Sequence, residues 1–213
     1  RRKEMKIAVL NETSAADRNL DILKSLERRG HEIINAGMSK NATPPEITYI
    51  QTGFMAALLL HLKSVDFVVG GCGTGQGFLN SVMQYPGVIC GHIITPLVGW
   101  LFTQINGGNC ISLMLNQGYG WAANENLRMI FDQIFSVEPG CGYPPHRAES
   151  QRQSRAFLDA VSITTHKPIQ EIVTNLPDEV VRPALMYPGF MELLETGSFT
   201  DAALFKILHS RMV

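Results

Sequence analysis

Asp66-Phe67-Val68-Val69-Gly70-Gly71-Cys72-Gly73-Thr74-Gly75-Gln76-Gly77-Phe78-Leu79-Asn80 reads as an apolar strand that runs into glycines and then enters a helix. A strand with no polar face needs helices on both sides of its sheet, the situation of parallel α/β folds. The flanking segments repeat the pattern. Strand-like runs precede it at Lys6–Asn11 and His31–Ala36 and follow it at Gly87–Gly91 and Asn109–Leu115, with Asp66–Gly71 the third of five. Helical periodicity fills the intervals at Ala16–Arg29, Pro45–Leu62, Gly75–Gln84, Pro96–Ile105 and Trp121–Phe135. The alternation predicts an α/β fold, a doubly wound and mostly parallel five-stranded sheet with helices on both faces.

The pattern breaks at Glu138-Pro139-Gly140-Cys141-Gly142-Tyr143-Pro144-Pro145, which sets a boundary between an α/β domain of residues 1–145 and a helical C-terminal extension of residues 146–213. In that extension Arg147–Val161, Ile169–Thr174, Asp178–Tyr187 and Asp201–Arg211 read as short helices separated by Pro or Gly.

Composition narrows the partners. The 213 residues carry 18 Lys and Arg against 19 Asp and Glu, a net charge of −1, which excludes the one-sign field that holds nucleic acid or an anionic membrane. The longest apolar run, Phe54–Leu60, is far short of the roughly 20 residues that span a bilayer. The basic start Arg1-Arg2-Lys3-Glu4-Met5 leads straight into a strand, so no signal peptide is read and a cytoplasmic location is expected. Cys72, Cys90, Cys110 and Cys141 form no C-x-x-C pair, so they read as free thiols and no metal site is expected.

Ligands of open α/β sheets bind beyond the carboxyl ends of the strands, where Cys72 and Thr74 fall. The glycines let backbone amides approach a ligand, and those amides, with the positive end of the following helix, suit an oxyanion. The same field favours a thiolate, making Cys72 a candidate base or nucleophile. Nucleotide loops do not fit. Counted from Gly71, the third glycine of G-x-G-x-x-G falls on Gln76, and counted from Gly73 it falls on Phe78; a Walker-type G-K-[ST] is absent. A second loop, Asn106-Gly107-Gly108-Asn109, either offers hydrogen bonds and amides to a hydroxylated ligand or is a helix cap and turn.

With both loops in view, the chain resembles the RpiB/LacA/LacB family of sugar-phosphate isomerases. The resemblance rests on Met5-Lys6-Ile7-Ala8-Val9, on Gly71-Cys72-Gly73-Thr74-Gly75-Gln76-Gly77 with Asn80, on Pro86-Gly87, on Pro96 and on Asn106-Gly107-Gly108-Asn109. It covers Met5 to Phe135 and implies a cofactor-free, metal-independent aldose–ketose isomerase of a small phosphorylated sugar. It further implies a homodimer or dimer of dimers, with sites at the subunit interface. Under the resemblance Cys72 moves the proton through an enediolate, while Thr74 and the amides of Gly73, Gly75 and Gly77 stabilise the oxyanion. Glu12 and Thr13 stand where the family commonly has Asp-His, and Ile105 replaces a histidine that helps open the sugar ring. Arg147, Arg152 and Arg155 are the candidates for binding phosphate.

The losses at Thr13 and Ile105 favour a rival reading, a non-catalytic sugar-phosphate sensor. A third is a thiol enzyme with Cys72 as nucleophile. His92, placed just past the fourth strand, is a possible substitute for the missing ring-opening group or a structural histidine. Trp100 and Trp121 read as packing residues, and Cys90 and Cys110 as core thiols.

Overall fold

The computed structural model describes residues 4–212. Arg1, Arg2 and Lys3, on which the reading of the chain's start partly rests, lie outside these residues. Five strands, β1 (Lys6–Leu10), β2 (Glu32–Asn35), β3 (Phe67–Cys72), β4 (Cys90–Ile93) and β5 (Cys110–Met114), form one sheet in the order β2-β1-β3-β5-β4. Every pairing is parallel, which sharpens the expected "mostly parallel" to wholly so. Side chains alternate across the sheet as strand geometry demands. Ile7, Val9, Val69, Ile111 and Leu113 enter one core, whereas Ala8, Leu10, Val68, Cys72 and Cys110 enter the other.

The first core is covered by α1 (Asn19–Leu26), α4 (Pro96–Asn106) and α5 (Ala123–Ile134), the second by α2 (Tyr49–His61) and α3 (Gln76–Val82). Helix α2 starts at Tyr49 and not at Pro45, because Thr48 caps it through Ile50 N while the Gln51 side chain accepts from Thr48 N, a capping box. A 3-10 turn, Thr13–Arg18, precedes α1 and takes over the first residues of the expected helix.

Residues Thr52 to Leu59 of α2 are buried without interruption. A helix that is apolar all round needs cover on its outer side as well. The extension supplies it. Its helices α7 (Ile169–Asn175), α8 (Asp178–Leu185), α9 (Phe190–Glu195) and α10 (Ala202–Arg211) place Val173, Val181, Leu185, Phe190, Leu194 and Leu204 in the same apolar cluster as Phe54 and Leu58. Helix α6 (Ala148–Thr165) differs, since none of its residues is buried. It starts against the end of α4, where Arg155 donates to Ile105 O, and it ends at a cleft shared with His61 and Pro86 on the opposite layer. It thus crosses beneath the amino edge of the sheet. Among the described residues, no helix is long and apolar enough to cross a membrane.

The glycines ending β3 are packing requirements as well as chemistry. A Cβ on Gly70 would overlap the Phe78 ring, and one on Gly71 would overlap the backbone oxygen of Leu113 on β5. Gly71→Ala must push β3 from β5 beside Cys72, at a cost of about 1–3 kcal/mol for an overpacked site. A lowered denaturant midpoint with an unchanged slope is the expected result.

Candidate functional site

β1 and β3 lie side by side, but the crossover from β1 leads to β2 on one flank and that from β3 leads to β4 on the other. Their carboxyl ends therefore border the crevice where doubly wound sheets bind ligands. Glu12 follows β1 there and is 2% exposed. Its carboxylate accepts the Ser14 hydroxyl, and Ser14 Oγ in turn accepts Gly73 N at 3.3 Å. Asn116, past the end of β5, donates from Nδ2 to Ser14 O at 2.7 Å and from its backbone N to Gly73 O at 3.0 Å. Ser14 and Asn116 escaped the sequence reading because their roles arise only when three strand ends meet.

Cys72 is the last residue of β3, opposite Met114, with its side chain in the second core and 5% exposed. Its carbonyl accepts Gly75 N at 3.3 Å, so Cys72-Gly73-Thr74-Gly75 closes a tight turn. Gly75 has φ 77°, a left-handed backbone that favours glycine, and a Cβ there would sit 2.6 Å from His92 Nε2. His92 holds this turn from behind. It lies within β4, its Nε2 bonds to Thr74 O at 3.1 Å, and Gln76 Nε2 donates to its Nδ1 at 3.2 Å. These partners select the tautomer with the proton on Nε2.

Thr74 is exposed, with Oγ1 accepting Gln76 N at 3.3 Å and its hydroxyl proton left for a ligand. Of the amides the resemblance assigns to an oxyanion, those of Gly73 and Gly75 are engaged in bonds of 3.3 Å within the protein, while Gly77 N makes none with the described residues. The Tyr49 ring lies against Gly77, where a Cβ would be 3.1 Å away. Thr13 turns to the neighbouring loop, with its N donating to Ile47 O at 2.9 Å and its hydroxyl to Glu46 at 3.3 Å.

Arg18 reaches the same edge from the far end of the 3-10 turn. Its Nε donates to Leu115 O at 3.2 Å, and its guanidinium lies 4.4 Å above the Tyr119 ring. Tyr119 donates its hydroxyl to Asp21 Oδ2 at 2.6 Å, and burial together with that carboxylate pushes its phenol well up from the usual range. A cavity of about 360 Å³ opens beyond Tyr119, lined among others by Ile93, Met114, Trp121 and Leu127, without Cys72 in its wall. Trp121, expected to pack, is instead fully exposed at this cavity, since it follows the glycines of the 118–120 loop and no element covers it. Trp100 packs edge-on against Tyr143. Cys110 is buried, and burial beside Cys90 raises its thiol well above the ordinary value; Cys90 itself is half-buried.

The second glycine loop lies elsewhere. Asn109 immediately precedes β5 at the amino edge, where Val68 N donates to its carbonyl, four residues along β3 from Cys72 and so roughly 13 Å away. Gly107 (φ 58°) caps α4, Gly108 packs on Phe102, and Asn109 uses its side chain on Ile89 N (2.9 Å) and Gly87 O (2.8 Å). Asn106 is exposed at the end of α4. Arg155 sits with this loop, donating to Ile105 O (2.7 Å) and Gly140 O (2.9 Å). Arg152 pairs with Glu149 and Arg147 donates to Ser150, both on the solvent side of the α6 region. One chain thus brings together Glu12, Cys72, Gly73, Thr74, Gly75 and Gly77, with Thr13 beside them. Asn106 to Asn109 and the three arginines stand apart from that group.

Comparisons with known proteins place the fold. A 4-deoxy-L-threo-5-hexosulose-uronate ketol-isomerase, crystallised with a tartrate, superposes with a TM-score of 0.93 at 32% identity, covering 98% of this chain and 99% of that one. A structure from Vibrio parahaemolyticus described as ribose-5-phosphate isomerase LacAB_rpiB superposes at 0.92 with 37% identity, covering 98% and 100%. The ribose 5-phosphate isomerase of Thermotoga maritima shares the fold at 19% identity and a TM-score of 0.56, and covers only 71% of this chain. A search of curated proteins found no match. Residues 7–139 match the Ribose/Galactose Isomerase family model (LacAB_rpiB), and with that span holding both glycine loops and the whole sheet, the chain belongs to this family of sugar isomerases.

Proposed function

We propose that this protein interconverts the ketose and aldose forms of a small anionic sugar through an enediolate, with Cys72 as the base and without metal or cofactor. The observation that carries the reading is the tight turn at the switch-point crevice, backed by His92 and Gln76, which exposes Thr74 and holds the 5% exposed thiol of Cys72 directly behind it. The thiolate of Cys72 takes the proton from the carbon next to the carbonyl and returns it to the former carbonyl carbon, while the hydroxyl proton of the first carbon passes to the former carbonyl oxygen, so that carbonyl and hydroxyl exchange places. The Thr74 hydroxyl and the Gly77 amide receive the oxygen on which charge develops, and preorganised donors of this kind contribute about 3–4 kcal/mol each. Glu12, through Ser14, holds the Gly73 end of the turn.

The active form in this reading is a homodimer or dimer of dimers. Asn106, Gly107, Gly108 and Asn109 at the amino edge then complete the crevice of the other copy, with Arg147, Arg152 and Arg155 on the same side of the sheet. Helix α6 supports this, because Phe157, Leu158, Val161 and Ile163 are all exposed on it.

The family resemblance points to a phosphorylated sugar. A second reading, a uronate, is favoured by the end-to-end similarity to a uronate ketol-isomerase and by the engagement of Arg155 with two backbone carbonyls. Under either reading Ile105 supplies no proton for ring opening, so open-chain substrates are expected to be preferred. The test is a panel of four-, five- and six-carbon sugar phosphates and open-chain hexulosonates and hexuronates, followed in heavy water. Turnover of open-chain members with one deuterium placed next to the carbonyl is the expected result. Binding without turnover across the whole panel would instead establish the non-catalytic sensor.

A further inference from the structure

Arg18 is a cation at the carboxyl edge with most of its donors unengaged. One nitrogen, Nε, is held by Leu115 O, and the plane of the guanidinium is fixed on the Tyr119 ring, whose own hydroxyl is tied to Asp21. Its two terminal amino groups make no hydrogen bond or ion pair with the described residues. The acids nearest in sequence are committed elsewhere. Asp17 accepts from Asn41 Nδ2 at 2.7 Å and from its N at 3.1 Å, and Asp21 accepts from Tyr119. Leu115, which orients Arg18, donates its own N to Cys72 O at 3.0 Å, so Leu115 links the guanidinium to the backbone at the end of β3. Ser14, one turn before Arg18 on the same short helix, contacts Gly73.

From this geometry we infer that Arg18 is the anchor for a carboxylate on the substrate, presenting its two terminal amino groups to the two carboxylate oxygens. A fixed planar fork with two unengaged donors matches a planar monoanion. A phosphate dianion is matched less well, because the side chains grouped with it here, Ser14, Asn116 and Thr74, are neutral. The assignment deepens the proposed isomerase by choosing a uronate-type substrate, and it rests on that reading only for the reaction and not for binding.

The experiment uses Arg18→Met, which keeps an apolar stem on Tyr119, and Arg18→Lys, which keeps charge without the fork. Titration calorimetry with tartrate, a dicarboxylate, is expected to show about 100-fold weaker binding to the Met variant and intermediate binding to the Lys variant, at an unchanged melting temperature. In turnover, the preference for a hexuronate over the neutral sugar of the same chain length should fall by about the same factor through KM, with kcat little altered. Undiminished tartrate binding by a folded Met variant overturns the assignment, as does tighter binding of inorganic phosphate than of tartrate by the wild type. Arg18-dependent tartrate binding by a protein that isomerises no sugar upholds the carboxylate anchor and removes the isomerase reading. Uronate turnover that ignores Arg18 does the reverse.

Discussion

Replacing Cys72 by alanine is expected to abolish solvent-deuterium incorporation next to the substrate carbonyl and to lower kcat by about 10⁴, the upper end for loss of a positioned base. KM should change little, because the thiol touches the substrate at one carbon while the turn, Thr74 and Arg18 are left in place. Cys72→Ser is the sharper test. It keeps the size of the side chain in the apolar cluster around Phe78, so folding is preserved, but a hydroxyl is far too weak an acid to supply the base at neutral pH. Each kcal/mol of lost stability would shift the melting temperature by only about 2–4 °C in a protein of this size, which separates unfolding from lost chemistry. Full exchange in a folded Ser variant would remove Cys72 from the mechanism. A covalent adduct trapped on Cys72 of the wild type would point instead to a nucleophile.

The second large effect is expected from Phe157→Glu combined with Leu158→Glu. Phe157 is 73% exposed, Ile163 80% exposed, and Leu158 and Val161 also lie open, on a helix with no fully buried residue. Covering such side chains contributes about 1.5–3 kcal/mol each, and an unpaired carboxylate in the covered face costs several more. Sedimentation of the wild type should give a dimer or tetramer and of the double variant a monomer. Because the loop from Asn106 to Asn109 lies about 13 Å from Cys72 within one chain, the monomer should also lose activity by at least about 100-fold. The fold itself should survive, since neither residue contributes to either core. A monomeric wild type, or a monomeric variant with full activity, would show that one chain completes the site alone.

Much of the architecture was legible from local rules. The apolar run before Gly70, the turn residues and the helical spacing place five strands and their crossovers, because such patterns are set by backbone geometry within a few residues. Boundaries moved where a side chain intervened. Thr48 and Gln51 cap α2 four residues past Pro45, and β4 runs from Cys90 to Ile93, which brings His92 into the sheet behind the Gly-Thr-Gly turn. Helix α9 was not anticipated, being six residues whose apolar content has meaning only against α2 and α8.

The sequence by itself determined the parallel α/β class, the glycine-framed thiol and the family, since each is written in contiguous residues whose spacing fixes strand, turn and helix. Only the tertiary structure decided which of these pieces meet. The order β2-β1-β3-β5-β4 sets Glu12 and Ser14 beside Gly73 and carries Asn106 to Asn109 to the opposite edge, and the fold of the 115–119 loop lays Tyr119 under Arg18. The reason is physical. Strand order and loop docking are chosen by burial of apolar surface between residues distant in sequence, and no local pattern records that choice.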